Sequence, residues 1–447
     1  MADKDLSESP VRELTRRFLI TFLLGVVVYR LGVFVPIPGI DAKALASLVE
    51  GKGGEADGLG ALLRYANMFN GGAIANASIF GLGITPYISA SIIFQLLTFS
   101  IPSLKALQKE GESGRRKINQ YTRYATLLIC IVQAGIAAVA AVHYHTNDVV
   151  LVQTSNVPYF IAQSILVITT GSMLILWIAE QITRYGIGNG VSIIIMIGIL
   201  AYLPGSLGDF GNDLPKFLGI VLAALVIIAA IVVVVQAVRR INLEQQRRVQ
   251  GNKVYGGAQT TLPLKLNQAN VIPVIFASPV MVVLGFVAAQ FGSGIGLDQL
   301  FSYGEPGHRY VFAALIIAFT YFYISVTFDL FDLSNHFKQA GFFVRGIRPG
   351  KNTVDYLAAI LKRITFVGAV FLAVIAILPE LIGTAAFGLS GNSSMVLLGG
   401  TGLMIVVGVS LDVMQKVAAF FLAHQYRGLG GGDDGGLAAA KKSGKRF

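Results

Sequence analysis

FLGIVLAALVIIAAIVVVV, residues Phe217–Val235, runs for nineteen residues without a charge. An α-helix rises ~1.5 Å per residue, so a stretch of this length nearly matches the ~30 Å hydrocarbon core of a bilayer. Working outward from it, comparable apolar stretches recur along the chain, about ten in all. The expected helices cover 18–36, 74–100, 121–142, 157–179, 187–204, 217–238, 271–291, 310–330, 364–383 and 396–423. The fold class read from this pattern is an all-α integral membrane protein with ten transmembrane helices.

Composition agrees. Of 447 residues, 54% are hydrophobic and 13% charged, against ~25% charged for ordinary soluble domains. The chain is therefore not a string of soluble domains. Its 51 glycines suit helices that pack closely or break inside a membrane. The single cysteine, Cys130, lies in an apolar run. It excludes an intrachain disulfide and a cysteine metal site, and reads as a small buried side chain. No metal and no cofactor is expected. Residues 1–17 are polar and 18–35 apolar except for Arg30, with no small-x-small cleavage site following. The first stretch is expected to be a retained helix.

The net charge of +11 is unevenly placed. Cations collect in the N-terminus, in the segment after the second helix, in segments 239–270 and 331–363, and in the tail. The intervening loops hold few, mainly Lys43, Lys52, Arg64, Lys216 and Arg309. By the positive-inside rule both termini are expected in the cytoplasm, and an even number of helices agrees. Five helices followed by five give the two halves opposite topology, the arithmetic of an inverted repeat. The expected divisions are a cytoplasmic segment 1–17, an N-terminal half 18–206, a C-terminal half 217–425 and a disordered cytoplasmic tail 426–447. Segments 239–270 and 331–363 are longer than orientation requires, and read as docking surface for something large and acidic, such as RNA or an acidic protein face.

Segment 58–72 holds Leu59, Leu62, Leu63, Met68 and Phe69, then the breaker Asn70-Gly71-Gly72. Pattern alone fits a re-entrant piece and an external loop equally. Ionisable groups within spans are few: Arg30, Asp412 and Lys416, with Glu180, Asp329 and Asp332 near ends. Asp412 and Lys416 are four apart and can pair on one helix face. So thin a set, placed near the boundary, argues against an ion-coupled pathway. Gly388-Leu389-Ser390-Gly391 resembles a serine-nucleophile motif, but none of the five histidines lies mid-span to serve as base. Gly292–Gly296 has no preceding strand and reads as a turn, not a nucleotide loop.

Several stretches resemble the SecY family, the channel subunits of the bacterial protein translocase. They are Arg30-Leu31-Gly32-Val33-Phe34-Val35-Pro36-Ile37-Pro38-Gly39, Met68-Phe69-Asn70-Gly71-Gly72, Gly83–Ile93, Gly186–Ser192, Leu262–Lys265, Val271–Phe276 and Gly346-Ile347-Arg348-Pro349-Gly350. They fall in family order over about 18–425. The resemblance implies a two-half clamshell around an hourglass pore, without enzymatic activity of its own. It implies a pore ring of Ile84, Ile88, Val191, Ile195, Ile275 and Ile405, and a plug over 58–72 that includes Leu59, Leu62, Leu63, Met68, Phe69 and Asn70. A ring of branched apolar side chains dewets when empty and yields to any passing peptide. Without the family these residues read as helix packing. A lateral gate is implied between helices two and three on one side and seven and eight on the other.

A motor- and ribosome-binding surface is implied at Arg348, Gly350, Lys253, Lys265, Arg247 and Arg248. The implied partners are the membrane subunits SecE and SecG, the motor ATPase SecA, the ribosome, signal sequences, nascent polypeptides and membrane lipid. The implied location is the bacterial plasma (inner) membrane. The competing class is an inverted-repeat secondary transporter of a small solute, and a third is a scaffold or insertase without a pore. Three positions depart from the family pattern. Asn252 stands where an arginine is usual, Arg345 where proline is usual, and Asn270 where glycine is usual.

Overall fold

The computed structural model describes residues 10–50, 63, 66–143, 145–146, 149–152, 156–207, 214–245, 248–250, 253–255, 259–291, 306–348, 350–387 and 400–430. Leu59, Leu62, Arg247, Asn252, Pro349, Ser390, the Gly292–Gly296 turn and the tail from 431 lie outside the described residues.

The first helix runs as α1 (Pro10–Phe22), a π-helical stretch (Leu23–Val28) and α2 (Tyr29–Val33). After it come α3 (Ala42–Glu50), α4 (Thr85–Ser100), α5 (Pro102–Lys109), α6 (Glu112–His143), α7 (Val157–Tyr185), α8 (Gly190–Leu207) and α9 (Leu214–Gln236). Beyond them lie α10 (Ile272–Phe291), α11 (Pro306–Thr327), α12 (Leu330–Ala340), α13 (Lys351–Phe387) and α14 (Gly400–Gly430). Every apolar stretch read from the sequence carries a helix. Among the described residues, six helices are long and apolar enough to cross a membrane, or seven if the bent pair α4–α5 is one span. Leu128, Leu166, Leu222, Val226 and Val233 are exposed on the outside of the bundle. An apolar surface of that extent is solvated by lipid, not water.

Several boundaries differ from expectation: the first, third and ninth helices begin at Pro10, Glu112 and Lys351 instead of 18, 121 and 364, while the second and fifth begin late. The second span was expected from 74, but residues 70–84 form turns and α4 starts at Thr85. Gly71 and Gly72 adopt φ of +63° and +87°, a left-handed backbone that ends a helix. Segment 186–189 bends, so α8 starts at Gly190 instead of 187. Proline chemistry explains the 99° bend between α4 and α5. Pro102 opens α5, and Ile101 before it is extended at φ −101° and ψ 115°, as a residue preceding proline is driven to be.

The helices pack as two sets. α4, α6, α7 and α8 touch in succession, with α1 and the π stretch laid on α7. α10, α11, α13 and α14 touch in succession, with α9 on α13 and α14. The sets meet where α4 contacts α10 and where α8 contacts α14, with α1 also reaching α14. One large apolar core fills the seam, built mainly from Ile and Val. In lipid such contacts stabilise by dispersion and shape, because lipid tails are as apolar as the side chains.

Segments 239–270 and 331–363 are not loops. β3 (Val238–Gln245) pairs antiparallel with β6 (Gln259–Lys265), and β7 (Phe342–Val344) adds to the other edge of β3. The sheet order is β6-β3-β7, so the two segments share one sheet. Ile241 and Leu243 alternate with Arg240, Asn242 and Glu244, which places the apolar pair on one face. That face packs with Leu264 and Val344 against Leu357, Ile360 and Ile364 of α13. Pro263 sits on β6, an edge strand, where its missing N–H leaves no ladder bond unmade. A two-stranded ribbon, β4 (Arg248–Gln250) with β5 (Lys253–Tyr255), lies between β3 and β6 in the chain. A further short pair, β1 (His145–Thr146) and β2 (Val149–Val150), lies between α6 and α7.

Candidate functional site

The six residues expected to line a pore come from the four helices that meet across the seam. Ile84 precedes the first turn of α4 and Ile88 lies one turn in; Val191 and Ile195 are on α8, Ile275 on α10 and Ile405 on α14. Ile84, Ile88, Ile195 and Ile405 are buried members of the central core, and Val191 and Ile275 are half-buried against it. They share that core with many other apolar residues, so burial alone does not single them out.

A single helical turn over 66–69 runs into Asn70, and this turn, Met68-Phe69-Asn70, lies against the seam. Met68 is buried, and its Cε would sit 3.2 Å from a Cβ placed on Gly402 of α14. The Phe69 carbonyl approaches Gly198 of α8, leaving 2.7 Å to a Cβ built there. Asn70 is buried and donates from Nδ2 to the Gly81 carbonyl at 2.8 Å. Two residues of α2 hold the same turn: Tyr29 Oη donates to the Asn70 carbonyl at 3.2 Å, and Arg30 Nη1 to the Gly71 carbonyl at 3.0 Å. Tyr29 stacks on Phe80 with ring centroids 5.9 Å apart. Leu63 lies apart from the seam, lining an apolar cavity of about 230 Å³ with Ile37, Leu45, Ile74 and Ile168.

Beside the seam, a cleft of about 890 Å³ opens between α4, α5 and α6 on one side and α11, α12 and α13 on the other. Tyr87, Phe94 and Phe328 give it an apolar wall; Gln95, Arg115 and Asn119 give it polar groups. Lys109 of α5 reaches across to Asp332 of α12, with Nζ 3.3 Å from Oδ2. Asp329 caps α12 by accepting from the backbone N–H groups of Phe331 and Asp332.

The basic residues expected to dock partners spread along the sheet. Lys265 ends β6 opposite Val238, and its Nζ donates to Gln415 Oε1 at 3.1 Å. Arg248 and Lys253 are on the ribbon strands β4 and β5. Arg348 is exposed on the turn between β7 and α13. That turn is tied down: Thr353 Oγ1 donates to the Arg348 carbonyl at 3.0 Å, and Ser334 Oγ to the Gly350 carbonyl at 3.2 Å. Gly350 takes φ +114°, which L side chains rarely adopt. Arg345 pairs with Glu244 of β3 at 3.7 Å.

Asp412 and Lys416 pair at 2.8 Å, as their spacing allows. Cys130 is buried. Among the described residues no group of three or more His, Cys, Asp or Glu could hold a metal ion. Sequence reasoning did not find the Lys109–Asp332 contact, the Arg123–Glu180 pair between α6 and α7, or the hold of Tyr29 and Arg30 on the turn. Each joins residues 40 or more apart, and no local pattern announces them. The strands β3 and β6 are different, because their period-two alternation is present in the sequence, though their sharing of one sheet with β7 is not.

These features define a polytopic helical membrane protein whose two helix sets enclose an apolar seam beside a polar cleft. The family model SecY matches residues 78–414. Protein translocase subunit SecY of Thermotoga maritima is 38% identical over 421 residues, covering 94% of this chain and 95% of that protein. Protein translocase subunit SecY of Escherichia coli strain K12 is 40% identical, covering 93% of each. Two solved structures are similar in fold. "The structure of a protein conducting channel" matches with a TM-score of 0.63 at 18% identity, covering 92% of this chain and 93% of that one. "Sec61 in the Canine ribosome-channel complex from the endoplasmic reticulum" matches with a TM-score of 0.59 at 17% identity and the same coverage. The chain belongs to the SecY family.

Proposed function

We propose that this chain is the protein-conducting channel of a bacterial inner membrane. It passes unfolded secretory polypeptides across the bilayer and releases transmembrane segments sideways into lipid. The observation that carries the reading is the meeting of branched apolar side chains from α4, α8, α10 and α14 at the seam of a SecY-family chain. A constriction of this chemistry holds no water or ion when empty, yet offers no directional group to reject a passing side chain. Ile84, Ile88, Val191, Ile195, Ile275 and Ile405 form the constriction, and the segment 58–72 ending in the Met68-Phe69-Asn70 turn is its plug.

The cleft between α4–α6 and α11–α13 is where a signal sequence docks. Its 7–15 apolar residues partition toward lipid at ~0.8 kcal/mol per buried methylene. The chain spans the membrane ten times, as two inverted halves with both termini and the β3–β6–β7 sheet in the cytoplasm. SecE and SecG complete the membrane complex. SecA or the ribosome docks on the sheet and its ribbon through Arg348, Gly350, Lys253, Lys265, Arg247 and Arg248. Arg348 presents a planar fork suited to carboxylate or phosphate. The chain is not itself an enzyme; the energy comes from the motor or from peptide synthesis.

The test is protease protection of a secretory precursor in proteoliposomes holding this chain, a SecE-type partner, SecA and ATP. Protection that requires ATP and this chain is the expected result. Absence of protection, with insertion of the chain and activity of SecA verified, overturns the reading.

A further inference from the structure

Arg30 is a permanently charged side chain on a membrane helix, and neither the constriction nor the docking surface uses it. Its surroundings show what it holds. Nη1 donates to the Gly71 carbonyl at 3.0 Å, and the guanidinium lies 4.9 Å from the centre of the Phe34 ring. One residue earlier, Tyr29 Oη donates to the Asn70 carbonyl at 3.2 Å. Two consecutive side chains of α2 thus grip two consecutive carbonyls, at the point where the chain reverses through Gly71 and Gly72.

The gripped turn is tightly seated. Met68 and Asn70 are buried, and Met68 and the Phe69 carbonyl press on Gly402 and Gly198, the small residues of α14 and α8 at the seam. A side chain at Gly83 would collide with the Asn70 carboxamide, so the turn is packed from the α4 side as well. An arginine suits this task because its charge is permanent and strengthens each bond it donates where water is scarce.

We propose that Arg30, assisted by Tyr29, is a positioning residue that pins the Met68-Phe69-Asn70 turn against α8 and α14 and thereby keeps the resting channel sealed. The sealing part rests on the channel reading above; the pinning part does not. Arg30 touches no substrate and acts through the turn.

The experiment reads the turn directly. Met68→Cys is introduced, and labelling by a membrane-impermeant maleimide is timed in proteoliposomes, alone and combined with Arg30→Met, Arg30→Lys or Tyr29→Phe. Cys130, buried in α6, serves as an internal control for unfolding. Arg30→Met should speed labelling at Met68→Cys about tenfold or more, the factor that loss of a charge-assisted hydrogen bond places on a local opening. Arg30→Lys should lie nearer the parent, and Tyr29→Phe should produce a smaller rise, with Cys130 silent throughout. Unchanged labelling in both Arg30→Met and Tyr29→Phe overturns the proposal. Labelling of Cys130 together with Met68→Cys also overturns it, because Arg30 would then support the whole bundle.

Ion leak from the same vesicles tests sealing. Arg30→Met should leak while the parent does not. Faster labelling without leak, in vesicles whose parent protein translocates precursor, removes the sealing role. A parent that translocates nothing counts against the channel reading and leaves the labelling result to decide the pinning.

Discussion

Lys109 Nζ lies 3.3 Å from Asp332 Oδ2, and the pair spans the cleft between the two helix sets. Lys109 ends α5, the short helix turned 99° away from α4 by Pro102. Asp332 lies in the first turn of α12, where a negative charge is also favoured by the helix dipole. Both side chains are about half exposed, at 57% and 49%, so the bond is worth at most ~1 kcal/mol. Its position gives it meaning, because few contacts join the sets on this side.

The pair should bias the cleft toward its closed state. Lys109→Glu is expected to raise translocation of a precursor with a weakened signal sequence, by a factor of a few at most, on the order of the 0.2–1 kcal/mol of an exposed pair. Lys109→Glu combined with Asp332→Lys should return the rate toward the parent, and high salt should blunt the effect. A double-mutant cycle on translocation rate checks this; additive effects would show that the two residues act separately.

The constriction should depend on apolarity. Ile88→Asn with Ile275→Asn places two amides where branched alkyl groups meet, and water can then wet the seam. Single-channel conductance in planar bilayers should rise from near zero to a steady leak, and signal-sequence stringency should relax. A conductance indistinguishable from the parent would remove both residues from the ring.

Arg348 should matter to the motor and not to the pore. Arg348→Glu replaces a bidentate donor with a repelled charge, and ATP-driven translocation should fall on the order of tenfold or more, as for a broken interfacial charge pair. Membrane insertion of the variant, measured by carbonate extraction, should be normal because Arg348 is exposed on a turn. Full motor-driven activity in the variant would exclude Arg348 from the docking surface.

Asn270 should be replaceable by glycine and not by a β-branched residue. Its φ is +52°, in the left-handed region that asparagine and glycine tolerate. Asn267 Nδ2 donates to the Asn270 backbone carbonyl at 3.0 Å, a bond that survives either change. Asn270→Gly should alter stability by a few tenths of a kcal/mol, and Asn270→Val should cost ~1–2 kcal/mol. Thermal unfolding in detergent measures both. Equal melting temperatures would mean that the turn relaxes around valine.

Asn270 also shows how far a local reading extends. The sequence shows only that asparagine stands where glycine is usual in the family; the left-handed backbone makes the two near-equivalent. The stretch 74–84 shows the opposite. Its hydropathy predicts part of a span, yet Gly81 and Gly83 and the turn behind Gly72 break the helix, and only α4 from Thr85 is regular. Hydropathy outweighed the breaker signal there. At 238–265 the basic charge masks a period-two alternation, Ile241 and Leu243 with Leu262 and Leu264, that belongs to β3 and β6.

Membrane residence, the number of apolar stretches and their approximate limits were decided by the sequence alone. Hydrophobic transfer is a sum over neighbouring residues, so it can be read along the chain. The sharing of β3 between two distant segments, the Lys109–Asp332 contact and the grip of Arg30 on the Gly71 carbonyl were decided only by the tertiary structure. These are directional contacts between residues far apart in the chain. A hydrogen bond or ion pair exists only when packing has brought donor and acceptor within about 3 Å, and no local composition encodes that distance.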